Sequence, residues 1–269
     1  MIYDKADVSV LISMPRAGSH YIGDYIRQGY RKHGMVGPEI KSSEFFSPET
    51  YDQSYLKKIK LFEDIRDTFG LDMFSIFHSI QLYRHVDMPS KPHYTYLFDW
   101  FKDFYHGYRI ALLRRRNIWK HFVSFTFHNI IAEQLRKYGK EDGQHHSWHF
   151  MSATDDDVLK STIQEYNIKF KFDDRHLEFF LMQIRFFNEH IASYYKTYNT
   201  TVYNLWLEEC THEDLLNMFV PEKIKDTYKS PFIPSKIKYL PYFENTTLFK
   251  AKFMTLYESQ FKPYGYLVD

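Results

Sequence analysis

The stretch "VSVLISMPRAGSHYIGDYI", residues 8–26, decides how this chain folds. Its apolar, β-branched run over 8–13 predicts a buried strand. The run stops at Pro15, and a short turn carries Arg16, Gly18 and Ser19. Ile22, Ile26 and Tyr30 then recur four apart, the spacing of one helix face. Strand, tight loop and helix together form the layout of an anion cradle. Gly18 opens backbone conformations closed to other residues, so successive N–H groups can turn inward as a nest. A helix starting near Ser19 adds its positive end, and Arg16 adds a planar fork suited to phosphate or sulfate oxygens. The same residues also fit a plain strand-to-helix turn capped by Ser19.

Three further runs predict strands: "DMFSIFH" (72–78), "YRIALLR" (108–114) and "TTVYNLW" (200–206). Helical patterns separate them. Residues 47–70 open with Ser-Pro and stop at Gly70, and residues 93–107 stop at Gly107. Residues 117–139 begin at an Asn cap and end at Gly139, and residues 173–198 form a long amphipathic pattern with Asp at its start. Strands alternating with helices predict an α/β fold with a mainly parallel central sheet flanked by helices, in three P-loop-like layers. Residues 1–269 are expected to form one domain. Two less regular stretches, 140–172 and 220–247, are candidate lids or acceptor-binding excursions.

Hydrophobic residues make up 44% of the 269 and charged residues 26%, as in ordinary globular proteins. The aromatic share is 19%, with 25 Phe and 23 Tyr, so rings are expected to replace much of the aliphatic core. With 35 basic against 34 acidic residues there is no bulk charge to attract nucleic acid or an anionic membrane, so any anion site is local. The single cysteine, Cys210, excludes an internal disulfide and a Cys-rich zinc site. "MIYDKADVSVLISM" has neither the layout of a signal peptide nor a membrane-length apolar run, and the expected location is cytoplasmic. His145, His146 and His149 fit a solvated loop better than a metal site, and no metal is expected.

A second anion signal lies in "YRIALLRRRNIWKHFVSF", residues 108–125. A strand ends in Arg114, Arg115 and Arg116, and a helix begins at Asn117. Ser124 lies about two turns into that helix, on the face of Asn117. An arginine at the strand end and a serine on the following helix can converge on one phosphate. The lysine of a Walker-A loop, G-x-x-x-x-G-K-[ST], is absent after Gly18, which disfavours a Mg²⁺-dependent kinase or nucleotide hydrolase.

"PRAGS" after the first strand, followed by "RRRN" and "VS" after a later one, resembles the sulfotransferases that use 3′-phosphoadenosine 5′-phosphosulfate (PAPS), and is most similar to the bacterial trehalose-type branch. The resemblance covers residues 8 to about 125. It implies that Pro15, Arg16, Ala17, Gly18, Ser19 and His20 grip the 5′-phosphosulfate, and that Arg116 and Ser124, eight apart, grip the 3′-phosphate. Ala17 stands where the family has Ser, and His20 where it has a second Thr. Tyr203-Asn204 stands where the family often has Tyr-Glu. The family's C-terminal basic motif has no clear counterpart, although Lys250, Lys252 and Lys262 lie in that region.

The implied activity is transfer of a sulfuryl group from PAPS to the hydroxyl of a small-molecule or carbohydrate acceptor, leaving adenosine 3′,5′-bisphosphate. Arg16 would stabilise charge on the phosphosulfate oxygens. Two residues are candidates for the base. Glu44, in "SSEFFSPE", is similar in setting to the Glu of the trehalose-type enzymes, and His78, at the end of "DMFSIFH", is similar to the His of the cytosolic enzymes. The competing expectation is a non-catalytic protein that binds a nucleotide.

Overall fold

The computed structural model describes residues 10–18, 75–78, 110–137, 160–191, 202–211 and 239–268. They belong to two compact units. The first spans Met1–Arg114 with Arg185–Ser230, the second Arg115–Ile184 with Pro231–Asp269. The predicted helices over 19–32, 47–70 and 93–107 lie outside the described residues.

The first unit is built on a parallel sheet. Its strands are β1 (Val10–Ser13), β2 (Ser75–His78), β3 (Ile110–Arg114) and β4 (Val202–Trp206). They stand in the order β2-β1-β3-β4, and every neighbouring pair is parallel. All four lie within the apolar runs that predicted them. Leu11, Ile12 and Ser13 are consecutive and fully buried, as are Ala111, Leu112 and Leu113. Successive strand residues point to opposite faces, so β1 and β3 are covered on both. That is why these runs are continuously apolar instead of alternating. The fold class is therefore α/β.

The second unit is held by aromatic packing around α1 (Ile118–Lys137). Between Asn117 and Phe127 only Lys120 is exposed, so the first turns of α1 are buried nearly all round, as in a core helix. Asn117 caps it: its side-chain Oδ1 accepts the backbone N–H of Lys120 at 2.8 Å. Helix α2 (Asp174–Arg185) is capped in the same way, Asp173 Oδ1 accepting the His176 N–H at 2.8 Å. It lies antiparallel to α1. Arg175, near its start, pairs with Glu133 near the end of α1 at 3.0 Å, while Phe180 further along meets the edge of His121 at 5.3 Å.

Helix α3 (Thr246–Leu256) adds Phe249 and Phe253 to the same core. Phe172 stacks on Phe243 with centroids 3.8 Å apart, and Phe127 stacks on Phe170 at 4.5 Å. Trp119 is buried among Phe122, Phe172 and Phe253. The excess of Phe thus has a structural use here. The stretch 140–172 is described from residue 160, and Ile168, Phe170 and Phe172 at its end are core residues. The stretch 220–247 is described from residue 239, and Phe243 is core as well.

Gln183, on α2 one turn past Phe180, is fully buried, and neither atom of its amide has a hydrogen-bond partner. Such a group destabilises by about 1–3 kcal/mol. Gln183→Met, which keeps the shape and removes the amide, is expected to raise the melting temperature by a few degrees in calorimetry. A fall would mean that the amide is satisfied in solution.

Candidate functional site

The parallel pairing sets the first element of the site. Ser13 at the end of β1 is in register with His78 on β2 and with Leu113 on β3. The carboxyl ends of these strands therefore lie along one edge of the sheet, where ligands bind in open α/β sheets. The chain leaves β1 there through Met14, Pro15, Arg16, Ala17 and Gly18.

The loop is a defined turn. The Ala17 N–H donates to the Met14 carbonyl at 3.2 Å, with Pro15 and Arg16 between them. Pro15 presets the φ of the second turn position, and Arg16 at the third has φ 68°. That is a type II turn, whose third position ordinarily takes glycine. Gly18 follows at φ 92°, and a Cβ on it would stand 2.7 Å from Leu207 Cδ2. The backbone thus favours glycine there, and any side chain would also have to displace Leu207. Ala17 is fully buried. Ser19 and His20 lie outside the described residues.

A non-glycine residue in a left-handed turn is strained by about 1–2 kcal/mol, and residues held this way cluster at functional sites. The loop keeps an arginine where glycine would be relaxed, and buries its Nε. With Gly18 it makes two left-handed residues in three positions, a backbone suited to gathering N–H groups around an anion.

At β3 and β4 the same unit contains an arrangement that the sequence did not reveal. Arg114 is almost wholly buried. Its Nε donates to Asn188 Oδ1 at 3.1 Å and its Nη1 to Asn204 Oδ1 at 2.6 Å. The rings of Phe187 and Trp206 flank the guanidinium, with centroids 5.3 and 5.5 Å away. Phe187 and Asn188 reach it because α2 is followed by a π-helical segment, Phe186–Ile191. Asn204 is thus a clamp on Arg114. Register alone foreshadowed part of this: residues at matching positions of β3 and β4 share a face.

A second candidate anion site lies within the other unit. Asn117 and Ser124 are both buried, two turns apart on α1, and the Nε of Arg116 is buried just before it. The C-terminal segment fixes this start. Leu267 pairs with Asn117 in a parallel bridge, donates its N–H to the Arg116 carbonyl at 2.9 Å, and accepts the Ile118 N–H at 2.9 Å. Two early N–H groups of α1, those of Ile118 and Lys120, are therefore used within the protein. An anion held here would rely on the Arg116 and Ser124 side chains.

Among the base candidates, His78 ends β2 beside Ser13 in the ladder, and Glu44 lies outside the described residues. Of the C-terminal lysines, Lys252 pairs with Asp174 and Lys262 with Glu258. The hydrogen bond to Glu258 raises the Lys262 pKa. Lys250 lies over the Trp119 ring with its Nζ 6.0 Å from the centroid. Cys210, the single cysteine, is half-buried and forms no disulfide. Among the described residues, no group of three or more His, Cys, Asp or Glu is placed to hold a metal ion, and no helix is long and apolar enough to cross a membrane. No family model, curated protein or solved structure matches the chain.

Arg16→Gly separates strain from function. The turn relaxes while the cation is lost, so thermal stability should hold or rise, and if the loop holds a phosphate anion its affinity for pyrophosphate should fall at least about tenfold. Lost stability with unchanged affinity would make Arg16 a structural residue.

Proposed function

We propose that the chain is a PAPS-dependent sulfotransferase with a P-loop-like, three-layer α/β core. The observation that carries this is Arg16, held in a strained left-handed turn at the carboxyl end of a parallel strand. Further support comes from the buried Ser124 eight residues after Arg116 on a capped helix. A nucleotide phosphorylated at both 3′ and 5′ positions presents two separate anions. The loop with Arg16 suits the 5′ group, and the pair Arg116 and Ser124 suits the 3′ group.

Sulfuryl transfer then follows a simple balance. The acceptor hydroxyl oxygen attacks sulfur in line. The new S–O bond forms as the bond to the 5′-phosphate oxygen breaks, and adenosine 3′,5′-bisphosphate leaves with that electron pair. The hydroxyl proton passes to the base, His78 or Glu44. Base assistance of this kind contributes roughly 10²–10⁴-fold. Arg16 stabilises the charge that grows on the departing phosphate oxygen, and a preorganised donor there is worth about 2–4 kcal/mol. The acceptor is a hydroxyl of a small molecule or carbohydrate.

Calorimetry with adenosine 3′,5′-bisphosphate, against Mg·ATP as control, tests the proposal. The bisphosphate should bind and Mg·ATP should not compete, and Arg116→Ala should weaken binding by about tenfold or more. A bisphosphate that fails to bind, or an Arg116→Ala chain that binds it as the parent does, contradicts the assignment. With labelled PAPS and a panel of hydroxyl acceptors, the variant that loses turnover, His78→Ala or Glu44→Gln, identifies the base. Turnover retained by both variants would place the base elsewhere, whereas a parent that binds the bisphosphate but shows no turnover would be a nucleotide-binding protein without this chemistry.

A further inference from the structure

We propose that Tyr257 is a positioning residue for the Arg116–Ser124 anion pair of the same unit. It acts through the Tyr266–Leu267 peptide and Arg116, and not by contact with the anion. That the anion is the 3′-phosphate of a nucleotide rests on the proposed function, whereas the dependence of the pair on Tyr257 does not.

The hydrogen-bond ladder of α1 starts at Asn117, whose carbonyl accepts the His121 N–H at 3.0 Å. Arg116 lies one residue before that ladder, so the helix itself does not fix its backbone. Leu267 does so from outside the helix. Its N–H donates to the Arg116 carbonyl and its carbonyl accepts the Ile118 N–H, each at 2.9 Å. The peptide groups on both sides of Asn117 are thereby held in the parallel bridge. The holding atoms are main-chain atoms, while Leu267 as a whole is 46% exposed.

The bridging peptide is itself anchored. After α3 the chain runs through a π-helical segment, Tyr257–Phe261, and a 3₁₀ turn, Lys262–Tyr264. Gly265 then turns it back with φ 82°, its N–H donating to the Lys262 carbonyl at 2.9 Å. Tyr266 is buried, and its carbonyl accepts the Tyr257 hydroxyl at 2.9 Å. That carbonyl and the Leu267 N–H belong to one planar peptide group. The Tyr257 hydroxyl and the Arg116 carbonyl therefore hold its two ends, and hydrogen bonds joined in such a chain strengthen one another.

A guanidinium grips an oxyanion well only when distance and direction are both right. Ser124 is set by the buried face of α1, whereas Arg116 is set by the bridge. The Arg116 Nε is buried, so a shift of its backbone passes along a packed side chain to the guanidinium. Loosening the Tyr266–Leu267 peptide thus changes the spacing of the pair while leaving both of its side chains in place.

The test titrates 3′-AMP by calorimetry into the parent, Tyr257→Phe, Leu267→Pro and Leu267→Ala chains, with 5′-AMP as control ligand and a melting curve for each. Tyr257→Phe removes one hydroxyl and should weaken 3′-AMP by about three- to tenfold while 5′-AMP binds as to the parent. Leu267→Pro removes the bridging N–H and should weaken 3′-AMP by about tenfold or more. Leu267→Ala keeps that N–H and should restore binding to within about twofold of the parent. In an Arg116→Ala background Tyr257→Phe should have no further effect, since it acts through that arginine. A Tyr257→Phe chain that binds 3′-AMP as the parent does overturns the proposal and leaves the sulfotransferase standing. So does one that weakens both nucleotides alike, or that still weakens 3′-AMP in the Arg116→Ala background. Should Leu267→Pro not fold, Tyr257→Phe and its combination with Arg116→Ala decide. Inorganic phosphate is the third probe. A parent that binds phosphate through Arg116 but neither nucleotide rejects the sulfotransferase, and the same variants read with phosphate then decide on Tyr257. A parent with no Arg116-dependent binding of any of the three rejects both.

Discussion

The constraint on which the candidate site depends is the parallel ladder that holds β1 between β2 and β3. Parallel pairing in register fixes which ends of the strands lie together, and a slip of one residue would turn each side chain to the other face. With Ser13 beside His78 and Leu113, the loop that follows β1 begins on the same edge as the ends of β2 and β3. Burial of β1 and β3 on both faces makes that register costly to change. A strained turn with Arg16 at its third position persists because the ladder before it and the packing of Ala17 and Gly18 within it leave the chain little choice.

In the second unit, aromatic packing plays the corresponding part. Helix α1 carries Ser124 into a core where stacked rings take the place of branched aliphatics. Rings are rigid and their contact geometry is specific, so they hold a helix in one rotation about its axis. The cap by Asn117 and the bridge to Leu267 fix where α1 begins, and hence where Arg116 leaves the chain. The bridge and the cap use the Ile118 and Lys120 N–H groups of the helix, so an anion held here would rely on side chains.

Much of this was legible in the sequence. β1 and β3 could be read from short apolar runs because strands buried on both faces leave no polar alternation. Asn117 and Asp173 announced their helices through cap chemistry, which is local. Gly18 and Pro15 announced a turn, though not that Arg16 would occupy its left-handed position, because that depends on how the loop is braced by Leu207. The clamp on Arg114 was hidden for a similar reason: Asn188 and Asn204 lie 74 and 90 residues from it, and sequence pattern reports neighbours in the chain better than neighbours in space. Leu267 at the start of α1 gave no signal at all, since a backbone bridge asks nothing of the side chain. Tyr203-Asn204 looked like a departure from a family pattern, and its amide has a structural partner of its own.

The proposed sulfotransferase requires that one nucleotide be held by both its 3′ and its 5′ phosphates. The most direct measurement compares the affinities of adenosine 3′,5′-bisphosphate, 3′-AMP and 5′-AMP for the parent, Arg16→Ala and Arg116→Ala chains. Two sites on one ligand predict that the bisphosphate binds at least about a hundredfold more tightly than either monophosphate, since each charged grip is worth about 1.5–3 kcal/mol. They also predict that Arg16→Ala erases the contribution of the 5′-phosphate and Arg116→Ala that of the 3′-phosphate. A bisphosphate that binds no better than 5′-AMP, or two variants that weaken all three ligands alike, would contradict the account.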